Sequence, residues 1–281
     1  MQNPEVLGQP PNLPIIALEG LGGAGKTHIS NLLQSRFSSE GIESNVFKIG
    51  GLGFGNRLDQ LRRIRMYREE VFRSGTETKK QREDRLADRV YSLAARFQTK
   101  GFISTRSDRL TILDRTPFVG WAYTAANQKA IGEENPYLED IFQDNLTICK
   151  MLDLDQVYYL DVSPETAYAR TLSRYFVNND YYEETLDQII GSLQAPADKA
   201  KLIKQMTVNI ISGDSNVQAK EFENWHFPLY PLLQAHRSTF LEVLDRGKRE
   251  CGYEIVVIDA EANAESVARE IHTRVLQRIS S

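Results

Sequence analysis

An apolar run, Pro14-Ile15-Ile16-Ala17-Leu18, leads into the glycine-rich octet Gly20-Leu21-Gly22-Gly23-Ala24-Gly25-Lys26-Thr27, after which Ile29, Leu32, Leu33 and Phe37 recur at helical spacing. That order admits few local arrangements: a buried strand, a turn lined by backbone N–H groups, and a helix that starts at the turn. Gly41 stands where the cap of that helix belongs. The octet fits G-x-x-x-x-G-K-[ST], in which glycines let successive N–H groups face one anion while the helix aims its positive end at the same point. Gly20, Gly22, Gly23, Ala24, Gly25, Lys26 and Thr27 are therefore expected to cradle the phosphates of a nucleoside triphosphate. Lys26 would reach the β- and γ-phosphates. Thr27 would offer its hydroxyl to Mg²⁺, a hard ion that takes oxygen ligands.

Four more strand-like runs follow, at 44–49, 110–113, 157–160 and 254–258, and the intervals between them read as helices. Leu86, Val90, Leu93, Ala94 and Phe97 share one helical face, as do Val267, Ile271, Val275 and Ile279. Strands alternating with helices predict an α/β fold with a parallel, doubly wound sheet whose ligands gather at the carboxyl ends of the strands. The stretch from about 175 to 230 is polar and lacks a clean period, which predicts a lid with inserted helices and loops. Residues 1–12 read as a flexible leader, and 13–281 as a single domain carrying that insertion.

Composition narrows the partners. With a net charge of −4 the chain has no global basic field, so a nucleic acid polymer is not expected as a partner. Cys149 and Cys251 fit no metal-ligand spacing and no disulfide framework, which suits a reducing compartment. No apolar run reaches membrane-spanning length and the first residues lack the pattern of a secretion signal, so a cytoplasmic protein without a membrane partner is expected.

The third run ends in Leu113-Asp114-Arg115. A carboxylate closing a buried strand beside a phosphate turn is where Mg²⁺ or its water shell needs an acid, which makes Asp114 the second metal candidate. Arg115 would then point its planar fork into the crevice, suited to a pair of phosphate oxygens. Arg82, Arg85 and Arg89 fall on one helix face that can receive an anion or lie solvated among Glu83, Asp84 and Asp88. The aromatic stretch 225–231, ahead of a helix bearing His236 and Arg237, reads as core packing.

Assembled, these residues resemble the thymidylate kinase family of nucleoside monophosphate kinases. Leu18-Glu19-Gly20-Leu21 running into Gly-Ala-Gly-Lys-Thr is similar to that family's opening, and Gly50-Gly51-Leu52-Gly53 with Arg57-Leu58 to its second-strand loop. Leu86-Ala87-Asp88-Arg89 resembles its base-contacting helix, Leu113-Asp114-Arg115 with Ala122-Tyr123 its central motif, and 159–165 with Arg170 and Arg174 its fourth strand and lid. The resemblance implies a P-loop NTPase fold with a five-stranded parallel sheet, and a homodimer. It also implies phosphoryl transfer from ATP with Mg²⁺ to a small-molecule acceptor. In that scheme Lys26, Asp114 and Arg174 are catalytic, Arg170 lies against the adenine, Thr27 and Asp114 hold the metal, and Lys48, Arg89 and Arg115 bind the acceptor.

Three departures fall on the acceptor side. Gly22 stands where the family usually has an acid for the sugar hydroxyl, Arg85 where it has an aromatic for the base, and Lys48 where it tends to have an arginine for the acceptor phosphate. They open a second reading, a kinase acting on a free hydroxyl of a nucleoside or other small molecule. A third is a non-catalytic nucleotide-binding regulatory module, although the chain has no Asn-Lys-x-Asp tetrad to read guanine.

Overall fold

Every residue of the first strand, β1 (Ile15–Gly20), is buried. A strand covered on both faces is apolar along most of its length, which is why Ile15-Ile16-Ala17-Leu18 reads as a continuous run and not as an alternation. The computed structural model describes residues 13–48, 109–131, 136–176, 182–213 and 229–280. Within them β1 is joined by β2 (Ser44–Lys48), β3 (Leu110–Asp114), β4 (Gln156–Asp161) and β5 (Glu254–Asp259) in one parallel sheet of order β2-β3-β1-β4-β5. These are the expected strands, and the sheet is the expected five-stranded parallel one; position 49, the expected end of the second run, lies outside the described residues.

The helices are α1 (Lys26–Ser39), α2 (Val119–Ile131), α3 (Leu138–Leu152), α4 (Pro164–Phe176), α5 (Tyr182–Ser192), α6 (Ala197–Gly213), α7 (Tyr230–Cys251) and α8 (Ala264–Ile279). The α1 helix packs on α8, while α2, α3 and α7 pack on one another. Between them lies the core, in which Ile16, Leu18, Leu33, Phe37, Leu113, Phe118, Tyr158, Leu160, Phe240 and Ile271 are buried. The α1 helix stops as its sequence requires: Gly41 takes φ 77, its N–H bonds the Ser38 carbonyl, and the Ile42 N–H reaches back to Phe37. The stretch from about 175 to 230 holds α5 and α6, and α6 packs along α4. Glu165 of α4 is the joint: its Oε1 accepts the Tyr230 hydroxyl at 2.7 Å and the Lys199 ammonium at 2.9 Å.

Register brings the functional strand ends together. Lys48 and Leu18 both pair with Asp114, Gly20 with Leu160, and Asp161 with Asp259. The chain passes from one side of β1 to the other between β3 and β4, so the crevice opens at the carboxyl end of β1, where the glycine-rich turn begins.

The two cysteines, remote in sequence, meet between the C-terminal ends of α3 and α7. Both are free thiols, Cys149 buried and Cys251 partly exposed. The Cys149 S–H hydrogen-bonds to the Cys251 sulfur, which pushes Cys149 up and holds Cys251 below its ordinary range, and burial adds to the rise at Cys149. Iodoacetamide at neutral pH is therefore expected to alkylate Cys251 at least about tenfold faster than Cys149, which should react only on unfolding. Peptide mapping after timed alkylation checks it; equal labelling would contradict the assignment.

Candidate active site

The turn between β1 and α1 is a close-packed object. Gly23 adopts φ 90, and a Cβ placed on it would lie 2.3 Å from the Ala167 carbonyl oxygen, in the first turns of α4. Only glycine fits there, and the glycine-rich turn thus sits directly on the start of α4. Gly22 contrasts with it: it is exposed, and a Cβ there would meet nothing within 4 Å. The acid expected from the family resemblance is absent here without any steric demand for glycine. Gly25 precedes α1 with no side chain capping the helix, and the first turn holds no acidic residue, so no side chain of the turn competes for its first N–H groups.

Lys26 is buried, and its Nζ donates to the Gly20 and Leu21 carbonyls at 2.7 and 2.8 Å. Burial holds the ammonium below its ordinary pKa, the nearby Arg115 charge adds to that, and the carboxylates of Glu19 and Asp114 oppose it. Thr27 Oγ1 donates to Asp114 Oδ2 at 2.6 Å. Two hard oxygens 87 residues apart in the chain thus converge beside the turn, and Asp114 is 2% exposed. Among the described residues no trio of His, Cys, Asp and Glu is gathered to hold a metal. A hydroxyl and a carboxylate fit Mg²⁺, which keeps several waters and takes only one or two protein ligands beside phosphates.

Arg115 takes φ 97, in the left-handed region that a side chain disfavours. Its N–H bonds the Leu18 carbonyl, which ties the turn after β3 to β1. Burial works against its charge, but the Tyr123 hydroxyl that it bonds and the Glu19 and Asp114 carboxylates more than offset this and raise its pKa. The Tyr123 ring stands edge-on to His236 and Phe240, with centroids at 4.6 and 5.5 Å. Of the aromatic stretch expected in the core, Tyr230 is buried and 225–228 lie outside the described residues, while the helix that follows forms with His236 and Phe240 the wall that supports Tyr123. The neighbour of His236, Arg237, makes a bidentate pair with Asp161 at the end of β4, 2.8 Å in both bonds.

Of the remaining expected site residues, Arg170 on α4 donates to the Glu261 backbone carbonyl at 3.3 Å, which puts it at the loop between β5 and α8. Glu261 in turn accepts the Ser163 N–H and the Thr166 hydroxyl at the start of α4. Arg174 lies on α4 and Lys48 ends β2, but their side chains, like Arg89 and the helix expected around it, lie outside the described residues. Sequence reasoning missed Glu19: it is fully buried, and it joins the turn to Thr116. Its only signal was an acid inside an otherwise apolar strand.

Solved structures supply the comparison. The chain superposes on the structure of a deoxyadenosine kinase from M. mycoides with bound dATP, at a TM-score of 0.53 and 16% identity, over 93% of this chain and 98% of that one. The likeness is one of fold, a five-stranded parallel sheet flanked by helices. No protein-family model and no curated protein matches the sequence. Among the described residues no helix is long and apolar enough to cross a membrane.

Proposed function

We propose that this protein is an ATP- and Mg²⁺-dependent phosphotransferase with a nucleoside-type acceptor. The observation that carries it is the 2.6 Å bond between Thr27 of the glycine-rich turn and Asp114 at the end of the adjacent strand, beside the buried Lys26. Thr27 and Asp114 are the oxygens that would hold Mg²⁺, which when bound neutralises charge on the β- and γ-phosphates. Phosphoryl transfer demands little covalent chemistry from a protein, so positioning and charge carry the rate. The turn amides and Lys26 bind the donor phosphates, and Arg170 lies beside the adenine. Arg174 is our candidate for the transferring phosphoryl, and Arg115, Arg89 and Lys48 are our candidates for the acceptor.

The thymidylate kinase resemblance favours a nucleoside monophosphate acceptor in a cytoplasmic, homodimeric enzyme. A free nucleoside hydroxyl is the second reading, supported by the likeness to a deoxyadenosine kinase and by the side-chain-free Gly22. Mass spectrometry of ATP-dependent product across nucleosides and nucleoside monophosphates separates them. Product from monophosphates alone supports the first and from unphosphorylated acceptors alone the second. No product from any acceptor, with nucleotide binding intact, would sink both and leave a regulatory nucleotide-binding module.

Asp114→Asn tests the metal assignment separately. It keeps the shape and removes the charge, and the Mg²⁺ concentration for half-maximal rate should rise about 10- to 100-fold. An unchanged Mg²⁺ dependence would remove Asp114 from the metal site.

A further inference from the structure

Glu19 is fully buried at the end of β1, immediately before the phosphate turn. Its Oε1 accepts the Gly20 N–H at 3.0 Å, and its Oε2 accepts both the N–H and the hydroxyl of Thr116 at 2.8 Å. A carboxylate taken out of water is retained without penalty only where charges and donors compensate it. Here the compensation is divided between two places. One is the first amide of the turn that begins at Gly20; the other is the residue that follows Arg115.

The second place is where backbone strain sits. Arg115 holds φ 97, and a left-handed residue with a side chain persists only when its surroundings over-determine it. The Leu18 carbonyl fixes its N–H on one side, and Glu19 fixes the Thr116 N–H on the other. Charge points the same way, because the Glu19 carboxylate attracts both the Lys26 ammonium and the Arg115 guanidinium, which repel each other.

We infer that Glu19 is a positioning residue that couples the phosphate turn to Arg115, clamping the peptide after Arg115 so that its guanidinium keeps a fixed place relative to Lys26. Glu19 touches no substrate in this scheme and acts through Arg115. The inference rests on the reading of Arg115 as an acceptor contact, and its structural half stands without that reading.

Glu19→Gln in the full chain tests both halves. The variant keeps the shape but replaces one acceptor oxygen by a donor, so one of the amides loses its partner or meets a second N–H. Amide hydrogen exchange of the ligand-free protein should become about tenfold or more faster at Thr116, while the amides of α1 keep their rates. In steady-state transfer, the KM for the acceptor should rise about tenfold, with the KM for ATP changing less than about threefold. In an Arg115→Ala background the same substitution should raise the acceptor KM no further, because the residue through which it acts is gone.

Unchanged exchange at Thr116 would overturn the clamp, and full additivity with Arg115→Ala would overturn the coupling. A wild-type protein that transfers to no acceptor would remove the proposed function instead, with the exchange measurement still judging Glu19. Should Glu19→Gln fail to fold, Thr116→Val removes only the hydroxyl bond, and the same readouts should move in the same direction by about threefold.

Discussion

Lys26→Met is expected to lower phosphoryl transfer by about 10³-fold or more, the scale on which a preorganised charged donor acts on a developing transition state. Lys26 Nζ is enclosed by the Gly20 and Leu21 carbonyls, and a neutral side chain can neither neutralise phosphate charge nor replace those bonds. In the ligand-free protein the loss of those two bonds is offset by the removal of a desolvated charge. Because burial depresses the Lys26 pKa in the folded chain, the proton binds more tightly to the unfolded one. The charged lysine is thus a liability at every pH below its folded pKa, and that liability fades as pH rises towards the ordinary value of 10.5. A thermal scan of Lys26→Met at neutral pH should show a midpoint equal to or above that of the parent. Transfer within tenfold of the parent would refute the donor-site assignment; a sharp fall in the midpoint would refute the electrostatic account.

Gly23→Ala is the second large effect. The added Cβ would lie 2.3 Å from the Ala167 oxygen, and the residue would have to keep φ 90. Backbone cannot yield as a flexible side chain does, so either the turn or the start of α4 moves. Left-handed strain and overpacking together cost about 3 kcal/mol, which lowers the thermal midpoint by roughly 6–12 °C for a chain of this size. Nucleotide binding should fall by a further factor of about 100, because the amides no longer converge. Gly22→Ala is the matched control, since a Cβ there meets nothing within 4 Å. Equal behaviour of the two variants would show that the contact between the turn and α4 does not exist in solution.

The sheet was legible because its strands are nearly uniform apolar runs: Ile15-Ile16-Ala17-Leu18 and Val157-Tyr158-Tyr159-Leu160 can only be buried on both faces. The turn was legible because its chemistry is local, seven residues acting through their own backbone and two side chains. What periodicity does not carry is a partner distant in the chain. Glu19 with Thr116, Arg115 with Tyr123 and Cys149 with Cys251 each join segments whose proximity exists only after β3, β4 and α7 have packed. His236 and Arg237 illustrate the same limit: an aromatic stretch and a long helix were visible, but not that the helix would brace Tyr123 and hold Asp161. The acceptor side was the least legible, since its specificity depends on which side chains meet across the crevice.

The central place of β1 has a consequence for biosynthesis. Ile15 pairs with Thr111 on one edge and Gly20 with Leu160 on the other, so the strand made first keeps an open edge until β4 has been made. A ribosome-bound chain that has not yet produced β4 presents β1 with one bare edge, apolar on both faces, in the form most prone to pair with another chain. Such non-local pairing also slows folding, because distant segments must meet before any contact rewards them. The crevice at the carboxyl end of β1 is consequently completed only after β4 is made, and production of this protein should depend on translation speed and chaperone supply more than that of a chain whose first strand lies at a sheet margin.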